Sequence, residues 1–167
     1  MKFIATIKAI TLTALLFFLL GHSALAARTM PEFSLQSAVD SGKFVNSKEF
    51  QGKVLLVSFF ATWCPPCRQE IPEFIALQKE LADKGFSVVG ISIDEGGTEA
   101  VKKLVELEQI NYPVLMATES VLSGFGDISG IPTSFLINRK GSVVKSYPGY
   151  VQHQLVKKDI EHVLKTK

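Results

Sequence analysis

The chain has 167 residues, with 18 Lys and Arg against 16 Asp and Glu, so its formal net charge is +2 at pH 7. A charge balance this even, without a run of basic residues, excludes a nucleic-acid-binding protein of the basic type. Two cysteines are too few for a small domain held together by several disulfides.

The first 26 residues have the pattern of a secretory signal peptide. Lys2 and Lys8 are their only charges, an apolar run follows, and Ala-Leu-Ala at 24–26 fits the small-x-small rule for cleavage. Residues 1–26 are therefore predicted to be cleaved, leaving 27–167 as one exported domain, periplasmic or otherwise extracytoplasmic. The alternative is an uncleaved N-terminal helix that anchors the protein, since the apolar run approaches the ~20 residues that span a bilayer.

Predicted strands and helices alternate along the rest of the chain. "EFSLQSA" and "KFVNS", on either side of "VDSG", indicate an N-terminal hairpin. Continuous apolar runs indicate buried strands, and apolar residues at helical spacing indicate amphipathic helices. The further predicted elements are a strand at 53–61, a helix from Pro65 to the stop at Lys84-Gly85, a strand at 86–94, a helix at 99–109, a strand at 112–117, a short helix at 119–125, a hairpin of strands 133–138 and 142–147, and a helix at about 151–165.

This order of elements predicts an α/β fold in which a central mixed sheet is covered by helices on both faces. In the last helix, the residues predicted to face the core are Val151, Leu155, Ile160, Val163 and Leu164.

The two cysteines, Cys64 and Cys67, lie in "TWCPPC" directly after the strand predicted at 53–61. Cys64 is predicted at a helix N-terminus, where free backbone N–H groups and the helix dipole stabilise a thiolate, the nucleophilic form of cysteine. Cys67 lies one turn further along the same helix face. The spacing predicts a redox-active disulfide, with Cys64 as the exposed attacking thiol and Cys67 as the buried resolving thiol.

Other roles for this pair have less support. A structural disulfide that closes so short a loop stabilises little. A zinc site needs two more Cys or His ligands, and outside the predicted signal peptide the chain offers only His153 and His162, both in the last predicted helix. A copper carrier could use two thiolates, but no Met or His cluster accompanies them. We therefore expect no metal and no other cofactor.

Four segments resemble the thioredoxin superfamily. "ATWCPPC" resembles its active-site motif, and "SGIPTSFLIN" at 129–138 resembles its cis-proline segment. Together with "CRQEIP" and "VVGISID", they make residues 27–167 similar to the exported TlpA/ResA-like thiol-disulfide oxidoreductases. The resemblance implies a thioredoxin-like fold with an N-terminal hairpin and an extra helix and strand between Asp94 and Pro132.

The resemblance also implies roles for individual residues. Cys64 corresponds to the attacking cysteine and Cys67 to the resolving one. Pro132, after Ile131, corresponds to the proline whose preceding peptide bond is cis and which faces the disulfide and binds the partner. Without the two cysteines, an ordinary trans proline in a turn would be the simpler interpretation of Pro132.

Three further positions are implied by the same resemblance. Trp63 corresponds to the tryptophan that flanks the site, although an aromatic residue here is more often part of the core. Glu70 matches the acidic residue of "WCxxCxxExP" members and is a candidate for proton transfer, or else a carboxylate favoured near a helix N-terminus. Ser58 stands where thioredoxin has a buried aspartate, so this chain lacks that proton carrier.

Pro65 and Pro66, which separate the cysteines, bear on the direction of the reaction. They have no N–H, so Cys64 keeps chiefly the N–H of Cys67 and the helix dipole as stabilising partners. A less stabilised thiolate predicts a reductant, with a potential closer to about −270 mV than to about −120 mV. The resemblance points the same way and implies disulfides or dithiols of other proteins as substrates and a membrane electron donor.

Two alternative functions stay open at this point. A peroxiredoxin-like peroxidase would need Thr or Ser three residues before its cysteine, where this chain has Ala61. A non-catalytic thiol carrier or metal chaperone would use the same two cysteines without exchanging disulfides.

Overall fold

The computed structural model describes residues 28–126 and 128–166. Strands and helices alternate through them in the predicted order. The strands are β1 (Ser34–Gln36), β2 (Phe44–Asn46), β3 (Val54–Phe60), β4 (Phe86–Ser92), β5 (Val114–Met116), β6 (Thr133–Ile137) and β7 (Val143–Pro148). The α-helices are α1 (Pro65–Leu81), α2 (Thr98–Glu108), α3 (Glu119–Gly124) and α4 (His153–Lys165), and 3-10 turns cover Ser47–Phe50 and Ala82–Lys84.

The strand β3 lies at the centre of a five-stranded sheet of order β5-β4-β3-β6-β7. β4 pairs parallel with β3 and β5 parallel with β4, whereas β6 and β7 pair antiparallel with their neighbours. Every residue of β3 and β4 is buried, as their continuous apolar runs predict for strands covered on both faces. The mixed sheet with covered faces confirms the predicted fold class.

The predicted N-terminal hairpin is present as the antiparallel pair β1–β2. It is attached to the edge of the sheet, because the N–H of Ala38 donates to the carbonyl of Val114 in β5 at 2.9 Å. The elements α2, β5 and α3 occupy the segment between Asp94 and Pro132, which the resemblance predicted to be enlarged. The insertion therefore widens the sheet by one strand and supplies the edge on which the hairpin rests.

The two faces of the sheet carry different cores. The disulfide face lies beneath α1, α2 and α4 and contains both cysteines. Its buried residues include Leu56, Phe60, Cys64, Cys67, Ile71, Val101, Leu104 and Ile160. The aromatic face is covered by α3, the hairpin and the first 3-10 turn, and its buried phenylalanines are Phe33, Phe50, Phe59, Phe125 and Phe135.

One predicted core residue is wrong. Leu155 is 46% exposed, whereas its neighbour Val156 is 3% exposed. The helix α4 packs through Val156, Ile160 and Val163, which recur at the spacing of one helix face. Leu155 lies one residue before this stripe, a rotation of about 100° around the helix axis, and therefore points away from the core.

The strand predicted at 86–94 ends earlier than expected, at Ser92 rather than at Asp94. Asp94 lies beyond the end of this strand, and its carboxylate accepts hydrogen bonds from Thr62, as described below. The last helix begins at His153 rather than at about 151, and the N–H of Val151 bonds to a side chain of α1 instead.

The predicted signal peptide or anchor at residues 1–26 lies outside the described residues. Within residues 28–126 and 128–166, no helix has both the length and the apolar character needed to cross a membrane.

Candidate active site

The loop between β3 and α1 is held by a carboxylate from the neighbouring strand. Asp94, just beyond β4, accepts from the backbone N–H of Thr62 at 2.9 Å and from its hydroxyl at 2.6 Å. The hydroxyl of Ser92 donates to the same carboxylate at 2.7 Å. Because β3 and β4 are parallel, their C-terminal ends meet at one edge of the sheet, and Asp94 fixes the backbone that leads into the cysteines.

Cys64 is the N-cap residue of α1, and it forms a disulfide with Cys67. Pro65 and Pro66 occupy the first two helical positions, where a missing N–H costs the helix nothing. The Cys64 sulfur accepts a hydrogen bond from the backbone N–H of Cys67 at 3.3 Å. This N–H is the backbone donor that the two prolines leave to the Cys64 sulfur.

Both sulfur-bearing residues are buried in the disulfide form, with Cys64 4% exposed and Cys67 2% exposed. The prediction of an exposed Cys64 is therefore wrong for this state. The pair is part of the core cluster of the disulfide face, and Ile131 packs against that cluster. Trp63, in contrast, is 67% exposed, so it does not belong to the core and marks the open side of the site.

The Ile131–Pro132 peptide bond is cis, which is the geometry that the resemblance implied. The register pairs Thr133 at the start of β6 with Phe59 near the end of β3. Pro132 therefore lies at the edge of the sheet where β3 ends and the disulfide begins. The fold brings Cys64, Cys67 and Pro132 to one edge, and the binding of a partner at Pro132 stays a prediction.

Glu70 lies on α1 one turn beyond Cys67 and is only 2% exposed. Among the described residues, it is the only buried Asp, Glu, Lys, Arg or His. Burial raises the pKa of the Glu70 carboxyl from 4.5 to about 7, a rise that the hydrogen bond from Val151 N–H opposes and the nearby charge of Glu73 supports. That hydrogen bond reaches Oε1 of Glu70 at 3.1 Å.

Ser58, at the position where thioredoxin has its aspartate, is buried and accepts a hydrogen bond from the hydroxyl of Ser134 at 3.0 Å. The two serines are directly paired across β3 and β6. Two hydroxyls that satisfy each other form a neutral structural contact and supply no proton carrier at the pH of exchange. The carboxyl closest in sequence to the cysteines on this face is that of Glu70.

Sequence reasoning missed the residues that hold the site in place. Asp94 could have been found, since a polar residue at the end of a parallel strand lies at the same edge as the end of the neighbouring strand. The hydrogen bonds of Val151 to Glu70 and of Tyr150 to Glu73 had no signal in the sequence, because both residues approach α1 from a loop that follows β7.

No cluster of three or more His, Cys, Asp or Glu side chains that could hold a metal ion occurs within the ranges that the structure covers. The cysteine pair lies among hydrophobic neighbours, and the buried carboxyl of Glu70 is one turn further along α1.

The comparisons with known proteins agree with this geometry. Residues 25–164 match the family described as Redoxin. The thiol-disulfide oxidoreductase ResA of Bacillus subtilis (strain 168) is 30% identical over 126 residues, which are 75% of this chain and 69% of that protein. The thioredoxin-like protein YneN of the same strain is 31% identical over 136 residues, which are 80% and 75% of the two chains. Among solved structures, a thiol:disulfide interchange protein of the thioredoxin family from Chlorobium tepidum TLS is similar with a TM-score of 0.77 and 37% identity, covering 85% of this chain and 99% of that one.

Proposed function

The chain belongs to the Redoxin family, among the ResA-like thiol-disulfide oxidoreductases with a thioredoxin-like fold, and on this basis we propose that it reduces disulfides of exported partner proteins. One observation carries the proposal. A disulfide caps a helix at the edge of the sheet, and a buried carboxyl of raised pKa lies one turn further along that helix.

In the first step, the Cys64 thiolate of the reduced protein attacks one sulfur of a partner disulfide. The partner S–S bond breaks, a mixed disulfide forms between Cys64 and that sulfur, and the other partner sulfur leaves as a thiolate that takes up a proton. The N–H of Cys67 and the N-terminus of α1 stabilise the attacking thiolate. The partner chain runs along Ile131 and Pro132, which lie at the same edge.

In the second step, Cys67 gives up its proton and attacks the Cys64 sulfur. The mixed disulfide breaks, the second partner sulfur leaves as a thiolate, and the Cys64–Cys67 disulfide forms again, so two electrons have passed to the partner. We assign the proton of Cys67 to the Glu70 carboxyl. With a pKa of about 7, this carboxyl is present in both protonation states near neutral pH, as a group that takes and returns a proton needs to be.

The net direction is reduction. An oxidant of this type depends on a strongly stabilised reduced form. Here Pro65 and Pro66 remove two backbone donors from the first turn, and Cys67 N–H is the donor that bonds to Cys64. The disulfide left after each cycle then has to be reduced by a dithiol donor that supplies two electrons, and we place that donor in the membrane.

The proposed location is outside the cytoplasm. Residues 1–26 would act as a cleaved signal peptide and residues 27–167 as the thioredoxin-like domain. N-terminal sequencing of exported protein should return Ala27 as the first residue. Met1 on a membrane-bound form would replace the cleaved signal with an anchor and would leave the exchange chemistry unchanged.

The proposed thiol-disulfide exchange is tested by trapping the mixed disulfide between the protein and its partner. In a Cys67→Ser variant, Cys64 can attack a partner but the mixed disulfide cannot be resolved, so partners should accumulate as adducts that dithiothreitol releases. The Cys64→Ser variant is the matched control and should trap nothing. Adducts on Cys64→Ser instead would reverse the two roles, and no adducts in either variant would remove the proposed protein substrates.

A second measurement tests the same assignment without a partner. In the reduced wild-type protein, a limiting amount of an alkylating reagent should modify Cys64 before Cys67, because the thiolate at the helix N-terminus is the more reactive form. Preferential labelling of Cys67 would contradict the proposed mechanism.

A further inference from the structure

Three hydrogen bonds hold the loop between β7 and α4 against the site. We call residues 149–151 the strap. The N–H of Gly149 donates to the carbonyl of Pro132 at 2.8 Å, the hydroxyl of Tyr150 donates to Oε1 of Glu73 at 3.3 Å, and the N–H of Val151 donates to Oε1 of Glu70 at 3.1 Å. The strap therefore connects the cis-proline with two carboxyl groups of α1.

The two carboxyl groups lie three residues apart on α1, so they face the same side of the helix. Glu70 is buried and Glu73 is half-buried. One oxygen of Glu73 bonds to Tyr150, and the other is buried without a hydrogen-bond partner among the described residues. A half-buried carboxyl beside a buried one disfavours the charged form of its neighbour, so the arrangement calls for a functional explanation.

The titratable groups that interact electrostatically with Glu70 come from three elements, and of these only Glu73 shifts the pKa of Glu70. Glu73 lies on the same helix, Tyr112 precedes β5 and Tyr150 belongs to the strap. Tyr112 is buried and neutral, since burial raises the pKa of its hydroxyl, and the charge of Glu70 adds to that rise. Glu73 is thus the one group among these three that can place a negative charge beside Glu70 near neutral pH.

We propose that Glu73 and Tyr150 are positioning residues, which together hold the strap so that the N–H of Val151 stays on Glu70 and which thereby set the pH range in which the disulfide exchanges. The pair acts on Glu70 in two opposite ways. The hydrogen bond that the strap delivers favours the carboxylate, whereas the negative charge of Glu73 disfavours it. The inference rests on the proposed function of Glu70, but the first measurement below is independent of it.

The opposite influences predict opposite shifts for two conservative variants. Glu73→Gln removes the charge and keeps an oxygen for the Tyr150 hydroxyl, so the strap stays in place and the pKa of Glu70 falls. Tyr150→Phe keeps the ring and removes the hydroxyl, so the strap loosens, Val151 N–H is less well held and the pKa of Glu70 rises. We expect each shift to be about 0.5 to 1 pH unit, the size that one partly screened neighbouring charge or hydrogen bond produces.

The test is a carbon-13 NMR titration of the Glu70 carboxyl in the oxidised protein, where neither cysteine titrates. Hydrogen exchange of the Val151 amide is measured in the same samples. It should be faster than in the wild type in Tyr150→Phe and unchanged in Glu73→Gln. Glu80→Gln is the matched control, because its carboxyl lies further along α1 and bonds to Lys157, and it should leave the Glu70 titration where it is.

A shift of the Glu70 pKa in the same direction in both variants, or no shift in either, would overturn the proposal. A pair with a merely structural role would not move this pKa in opposite directions. The rate at which dithiothreitol reduces the Cys64–Cys67 disulfide is then followed against pH. If its midpoint moves with the Glu70 titration, both the pair and the proton role are supported. If the pKa of Glu70 shifts as expected but the midpoint does not follow, the proposed proton role and the control of the pH range both fail, and only the positioning of Val151 N–H on Glu70 stands.

Discussion

The two faces of the central sheet are built from the same strands but bury different kinds of side chain. On the aromatic face, Phe59 meets Phe125 and Phe135 at ring distances of 5.1 and 6.0 Å, with interplanar angles of 69° and 89°. No group that can carry a charge is buried there among the described residues. On the disulfide face, alternate residues of the same strand lie beneath two cysteines and the buried carboxyl of Glu70.

The aromatic face contributes stability, and the disulfide face carries the reactive groups. Edge-to-face rings surrounded by aliphatic groups exclude water, and their contribution to the free energy of unfolding is independent of pH and redox state. The buried carboxyl reduces the stability of the other face whenever it is charged. The strand β3 belongs to both faces, so packing on the aromatic face can offset the destabilisation that the charged carboxyl causes on the disulfide face. Four measurements test this comparison, from the largest expected effect to the smallest.

The first concerns the aromatic face. Phe59 is fully buried, so Phe59→Ala should lower the free energy of unfolding by about 3–5 kcal/mol, and Phe59→Leu by about 1 kcal/mol. Denaturant unfolding of the oxidised protein measures both. The reduction potential of the Leu variant should equal that of the wild type, because Phe59 packs on the face that holds no sulfur. A changed potential would mean that the two faces are coupled.

The second concerns the carboxyl of the disulfide face. Its pKa is about 7 in the folded protein and 4.5 without burial, so the folded state binds the extra proton between these values. Stability from this group is therefore complete below about pH 4.5 and is lost as the pH rises to about 7, by roughly 3 kcal/mol. The difference in unfolding free energy between the wild type and Glu70→Gln should change over this window and stay constant above it.

Glu80→Gln is the control for this window. The Glu80 carboxyl is exposed, and a hydrogen bond from Lys157 lowers its pKa, so any effect of this variant belongs at lower pH and has the opposite sign. A difference between the wild type and Glu70→Gln that does not vary with pH would show that Glu70 is not buried as a titrating group.

The third concerns the helix start. The side chain of an N-cap residue accepts from the second or third helical N–H. Pro66→Ala restores the second of these donors, whereas Pro65→Ala restores the first, which does not reach the N-cap side chain. We expect Pro66→Ala to stabilise the Cys64 thiolate and to make the potential about 30 mV more oxidising, equivalent to one charge-assisted hydrogen bond of ~1.4 kcal/mol.

Pro65→Ala should leave the potential within about 10 mV of the wild type. Equilibration with a glutathione redox buffer, followed by the fluorescence of Trp63, measures all three proteins. A wild-type potential at the oxidising end would contradict the proposed reductant, and equal effects of the two alanine variants would contradict the hydrogen-bond explanation.

The fourth and smallest concerns the serine pair on the disulfide face. Ser58→Ala leaves the buried Ser134 hydroxyl without its acceptor and should lower the unfolding free energy by about 1 kcal/mol. The double variant Ser58→Ala, Ser134→Ala should recover most of that loss. The pH profile of exchange should be unchanged in both, and a shifted profile would give Ser58 a part in proton transfer.

The sequence alone determined the features that depend on neighbours along the chain. The apolar runs of β3 and β4, the strand-to-helix junction at Cys64 and the two prolines of the first turn were all predicted, because local propensity and periodicity decide them. Of the five residues predicted to face the core in the last helix, Leu155 points away from it and Val156 is buried instead, since apolar residues at helical spacing are compatible with more than one rotation of the helix.

Only the tertiary structure decided the state of the site. The spacing placed Glu70 near the cysteines, but its burial, which raises its pKa, depends on the segments that cover that helix face, and the hydrogen bond that opposes this rise comes from Val151, far away in the chain. Cys64 is likewise buried in a core cluster against which Ile131, from a distant segment, packs, whereas Trp63 beside it is exposed. Burial and hydrogen bonds between distant segments set the energy of a charge, and no local pattern in the sequence records which segments will meet.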